Sequence, residues 1–211
     1  MRCLLAAALL ALAPAAWGAN LVVQVKDSEG RPVKDAVATL KPAGAPLPPG
    51  PIHFPWPMAM SQHDTQFDPF VLVVPQGAEV PFPNRDRVRH HVYSFSPVKS
   101  FQLKLYSRDE TRVVTFERVG VVPLGCNIHD RMIGFIDVVD TPWAGKTDAA
   151  GDVTLQAVPA GRAQLTIWHP YMKSPRNQVT LDVTVASTGV GRQAVTVALG
   201  PAPARDHHGA L

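Results

Sequence analysis

Between Gly125 and Met132 the chain reads Gly-Cys-Asn-Ile-His-Asp-Arg-Met. A thiolate at Cys126, an imidazole at His129 and a thioether at Met132 fall within seven residues. A loop that short can turn all three donors toward one point. Upstream, Arg89-His90-His91-Val92 supplies a further imidazole. On a strand adjacent side chains point to opposite faces, so only one of His90 and His91 can join the other donors. Two imidazoles, one thiolate and a weak thioether are the donor set of a mononuclear copper site that exchanges electrons. Thiolate and thioether suit Cu(I), and two imidazoles keep Cu(II) bound as well.

The cysteine count agrees with a ligand role. There are two cysteines, and Cys3 lies in a leader-like segment. Met1-Arg2 precedes a run of Leu and Ala from Leu4 to Ala13, and Ala16-Trp17-Gly18 fits a small-x-small cleavage site. Residues 1–19 are therefore expected to be a signal peptide that sends the protein to the periplasm. The run is too short to span a bilayer, and no later stretch is longer. In an oxidising compartment an unpaired Cys126 is notable, because exported proteins usually pair their cysteines.

Strands must hold these donors. Twenty-one prolines and fifteen glycines favour short strands and turns over helices. Phe70 to Val74, Ala78 to Pro83, His90 to Phe95, Phe101 to Leu105, Arg112 to Glu117 and Ile133 to Val139 read as strands around the motif. Leu21 to Lys26, Ala163 to Trp168, Val179 to Val185 and Gln193 to Leu199 read as strands outside it. The last two alternate apolar and polar residues, as half-buried antiparallel strands do. Residues 47–66 read as a Pro-rich linker and residues 200–211 as a tail. The formal net charge is +3, and the lysines and arginines form no block in sequence, which argues against a nucleic-acid groove.

Residues from about Phe67 to Val139 resemble the cupredoxins of the plastocyanin and amicyanin type. The resemblance rests on Asn84-x-Asp86-x-x-x-His90-x-Val92 and on Cys126-x-x-His129-x-x-Met132-x-Gly134. It implies a Greek-key sandwich over 67–142 with one type 1 copper, bound by His90, Cys126 and His129 with Met132 axial. It favours His90 over His91 through the offset to Val92. His91 stands where that family usually has the Asn that ties the ligand loops together. Residues 20–46 and 143–199 resemble a carboxypeptidase-regulatory-like, Ig-type sandwich. Its motifs are Val25 to Val37, Thr147 to Leu155 and Val158-Pro159-Ala160-Gly161. The expected fold class is thus all-β, with one small sandwich split in sequence by the other.

The expected role is a periplasmic blue copper protein that is not an enzyme. It would carry single electrons between redox proteins such as a c-type cytochrome and a periplasmic dehydrogenase, with Ile128 and Pro123 near its docking face. The alternative is a copper-binding protein for delivery or tolerance, using Met58, Met60 and His63 as additional donors.

Overall fold

The structure is a computed structural model and describes residues 18–202. Residues 1–17 of the expected signal peptide and most of the expected tail lie outside the described residues, whereas Ala19, placed at the end of that peptide, is the buried first residue of a strand. The architecture is all-β. The described helical structure is a single 3-10 turn at Pro175–Asn177, and no helix is long and apolar enough to cross a membrane.

Two sandwiches share the chain. The first pairs two sheets. One contains β1 (Ala19–Asp27) between β13 (Asp152–Val158) and β16 (Val190–Val197). The other runs in the order β12 (Ala144–Lys146), β2 (Val37–Pro42), β14 (Gly161–Trp168), β15 (Gln178–Val185). Alternate residues of these strands, such as Leu21, Val23 and Val25 of β1 and Leu165 and Ile167 of β14, fill one core. This is the apolar face that the period-2 pattern demands. The first and last of the described strands lie parallel, from Asn20 opposite Val190 to Asp27 opposite Val197.

The intervening residues build the second sandwich. A five-stranded sheet runs in the order β5 (Val71–Pro75), β11 (His129–Val139), β10 (Gly120–Cys126), β7 (Val92–Phe95), β8 (Ser100–Gln102). It covers the pair β6 (Ala78–Pro83) and β9 (Thr111–Phe116). Leu72, Val74, Phe82, Phe116, Ile136 and Val138 lie in its core. Strand β5 is buried at every position, because its other face meets the first sandwich. Val71, Val73 and Val139 there pack with Val37, Ala144 and Trp168. That explains its unbroken apolar run, which a one-sided strand would not need.

Two features depart from the sequence reading. Within the segment read as linker, β3 (Ser61–His63) pairs with β4 (Gln66–Asp68) as a hairpin. Its turn residues Asp64 and Thr65 have φ of 51° and 53°, the left-handed pair of a type I′ turn. Met60 and Gln62 are fully buried, so this segment belongs to the core. Trp56 donates from its indole N–H to the Val73 carbonyl at 2.9 Å and fastens the Pro-rich strap to β5.

Hairpin β3–β4 rests on Gly134, where a Cβ would sit 2.8 Å from Phe67 Cβ and 3.0 Å from its Cγ. Neither atom is a free end that can swing away. Gly134→Ala is expected to cost about 1–3 kcal/mol through overpacking, read as a lowered denaturation midpoint with an unchanged m-value.

Asp137 is the exception in the layer between sandwiches. It is 8% exposed, lies between Phe135 and Val139 on β11, and its carboxyl has no hydrogen-bond or ion-pair partner among the described residues. Burial pushes its carboxyl up to about 7.

Candidate metal centre

The donors meet at one end of the second sandwich. Strand β10 delivers Cys126, whose backbone pairs with Val92 of β7 on one side and His129 on the other. The β10–β11 register holds from Gly120↔Val138 to Gly125↔Ile133 and then jumps to Cys126↔His129. Asp130, Arg131 and Met132 thus bulge out of the ladder, which curls the loop back on itself.

Beneath it Gly125 is needed, since a Cβ would meet the Tyr93 ring at 2.8 Å. His90 lies just before β7 and is fixed by two backbone bonds to Tyr106, of 3.2 and 3.1 Å. The strand expected from His90 therefore starts as an isolated bridge, with the ladder beginning at Val92.

Cys126 Sγ faces His90 Nδ1 at 3.6 Å and His129 Nδ1 at 3.5 Å. All three donor atoms lie within 4.8 Å of one another. Bonds of about 2.3 Å to sulfur and 2.0 Å to nitrogen, meeting at about 110–120°, separate S and N by roughly 3.5–3.7 Å. The spacing therefore fits a shared ion without rearrangement. His90 is fully buried, Cys126 is nearly so, and His129 is half-exposed. Met132 is 1% exposed and lies in the same core cluster as Cys126. His91 is half-buried and stays outside the donor group. Its carbonyl accepts from Asn127 N–H at 3.0 Å, so a backbone bond ties the two ligand loops.

The second layer was not legible as such. His90 Nε2–H donates to Asp86 Oδ2 at 2.7 Å. Burial lowers the His90 pKa over the opposing pull of Asp86, which leaves a neutral ring with its Nδ1 lone pair toward Cys126. Asp86 also accepts from the Asp64 and Thr65 amides at 2.6 and 3.0 Å and so holds the left-handed hairpin turn. Asn84 orders the same loop: its amide donates to the Val88 and Tyr106 carbonyls and its Oδ1 accepts from Asp86 N–H. Tyr106 is buried over the site with its hydroxyl donated to Gln62. Burial, with Cys126 nearby, raises its pKa far above the ordinary phenol value. The offset of four from Asp86 to His90 was the available sign of their pairing.

The other candidate donors differ in burial. Met60 is sealed in the core, Met58 is half-buried against it, and His63 is exposed beside Asp64 at 3.3 Å. Ile128 is 47% exposed next to His129, whereas Pro123 lines the groove facing the first sandwich with Phe135 and Asp137.

No family model matches the sequence, and no curated protein does. Solved structures with similar stretches include a purple cupredoxin from Nitrosopumilus maritimus. It is 21% identical with a TM-score of 0.35, over 38% of this chain and 96% of that one. A reduced amicyanin variant is 22% identical with a TM-score of 0.36, over 39% and 81%. A copper-containing nitrite reductase from Thermus scotoductus is 26% identical with a TM-score of 0.38, over 42% of this chain and 23% of that one.

Proposed function

We propose that this chain is a type 1 copper protein of the periplasm that carries single electrons between redox proteins. One observation supports this above others: a buried thiol, the one cysteine among the described residues, faces the Nδ1 atoms of two histidines at the separation a shared ion requires. His90, Cys126 and His129 would hold the metal, with Met132 as the weak fourth donor. Copper bound there supplies a one-electron Cu(II)/Cu(I) couple.

The protein's part is to keep the donors still. His90 is held by its backbone bridge and by Asp86, Cys126 by two ladders, and the loops by the Asn127–His91 bond. Donors that move little between charge states make electron exchange fast. Burial of His90 and Cys126 excludes water, and half-exposed His129 is the edge nearest a partner. A c-type cytochrome or a periplasmic dehydrogenase fits as that partner. The carrier reading gives the chain no substrate and no enzymatic role. The split sandwich formed by residues 20–46 and 143–199 would serve as scaffold.

The test is a titration of the mature protein with Cu(II). One equivalent should give an intense visible thiolate-to-copper absorption and an EPR spectrum with narrow parallel hyperfine splitting. A colourless complex would refute the carrier. Several coppers per chain would favour delivery or tolerance.

Asp86 carries a related expectation. Its negative charge on His90 stabilises the more positive Cu(II) state. Asp86→Asn should therefore raise the reduction potential in voltammetry and weaken Cu(II) binding by about 10–100-fold, the usual cost of losing such an outer partner.

A further inference from the structure

Arg85, Arg87 and Arg89 fall within five residues, and the fold sets the segment that holds Lys104 beside them. Segments 84–91, 104–112 and 126–132 carry these charges around the donor cluster, and hairpin β3–β4 lies beside them, with Thr65 and Gln66 lining one cavity with His129 and Met132. The three segments are bound to one another through Asn84 to Tyr106, His90 to Tyr106 and Asn127 to His91. The three charged segments hold seven lysines and arginines against four aspartates and glutamates, a net of +3, and Asp64 and Asp68 of the neighbouring hairpin reduce it to +1.

The acidic groups there are largely committed. Asp86 is 8% exposed and spent on His90 and the hairpin turn. Glu110 pairs with Arg112 at 2.8 Å, and Asp109 lies 3.8 Å from Arg108. Asp130 is exposed, next to Arg131. Arg85, Arg87, Arg89 and Lys104 are exposed and have no ion-pair partner among the described residues. Each segment also puts one large apolar side chain into water: Val88 at 44%, Leu105 at 48% and Ile128 at 47% exposure.

We infer that this end of the molecule is a docking face for an acidic protein surface, with Arg85, Arg87, Arg89 and Lys104 as its steering charges. The inference rests on the electron-carrier reading for its purpose, and charge complementarity names the occupant. Long-range attraction gathers the acidic partner, and the apolar side chains beside His129 supply close contact once it arrives. A partner seated there lies against the half-exposed edge of the site.

Two measurements test it. In the first, the reduced copper-loaded protein is oxidised by hexacyanoferrate(III) or by tris(phenanthroline)cobalt(III). One electron passes from Cu(I) to Fe(III) or Co(III), giving Cu(II) and Fe(II) or Co(II), and no bond or proton changes hands. The anionic oxidant should react faster as salt is lowered and the cationic one slower. The combined Arg85→Gln, Arg87→Gln, Arg89→Gln variant should cut the low-salt rate with hexacyanoferrate(III) about tenfold or more.

In the second, poly-glutamate is added to the metal-free protein, and amide shifts should move in the three segments and return with added salt. This arm needs no copper. A colourless protein with an intact poly-glutamate footprint would sink the carrier reading alone. Shifts elsewhere, or rates indifferent to the sign of the oxidant, would overturn the docking face. Binding to phosphatidylglycerol vesicles without binding to poly-glutamate would overturn it in favour of a membrane surface.

Discussion

Cys126→Ser is expected to abolish the visible absorption of the copper-loaded protein and to lower its copper affinity by well over the 10–100-fold that loss of an outer partner costs. A serine hydroxyl is neither soft nor ionised at neutral pH, so it replaces neither the charge nor the covalency of a thiolate. The fold should survive, because serine has the same branching with a smaller terminal atom and residue 126 is held by backbone ladders to Val92 and His129. The checks are the absorption spectrum, a competition titration for copper and an unchanged far-ultraviolet dichroism. An undiminished blue band in the variant would remove Cys126 from the site.

The second large effect concerns stability and lies far from the metal. Asp137 has its carboxyl raised from 3.8 to about 7 by burial between the sandwiches. An unfolded chain releases that proton near pH 4, while the folded one keeps it until about pH 7. The folded state thus binds more protons across this window. The corresponding stability is full below pH 4, declines as pH rises toward 7 and is lost above it. Three pH units amount to about 4 kcal/mol at most.

The charges that share the groove do not relieve the cost: Lys41 is paired with Asp140 at 2.8 Å, and Arg176 makes no ion pair with Asp137. Asp137→Asn removes the titration. Denaturant unfolding of the metal-free proteins should show the variant gaining on the wild type from pH 4 to pH 8, with no further gain above. A constant difference across that range would mean Asp137 is ionised throughout.

The approach of Cys126 to His129 was legible because the two are close in sequence, and a bulged hairpin end brings such residues together locally. His90 and His91 could not be separated by chemistry alone. The offset to Val92 favoured His90, and the Tyr106 bridge fixes which ring turns inward. Strands with a clean period of two were readable, as was the doubly buried run of β5.

Hairpin β3–β4 was hidden, because Ser-Gln-His-Asp-Thr-Gln-Phe-Asp is polar and lacks a glycine at its turn. Its stability comes from partners remote in sequence: Gly134 under Phe67, and Asp86 on the turn amides. Pairing between β1 and β16 was equally invisible. Alternation tells which face of a strand is buried, and not which strand lies beside it.

That pairing of first strand with last sets an order of completion. As the chain is threaded from its N-terminus, every strand of the second sandwich is available once Val139 has emerged, whereas the first cannot close until Val197 does. Assembly therefore proceeds from the middle outward. The second sandwich can complete while β1 waits first for β13 and then for β16, and until both arrive β1 keeps an open edge that could pair with another chain.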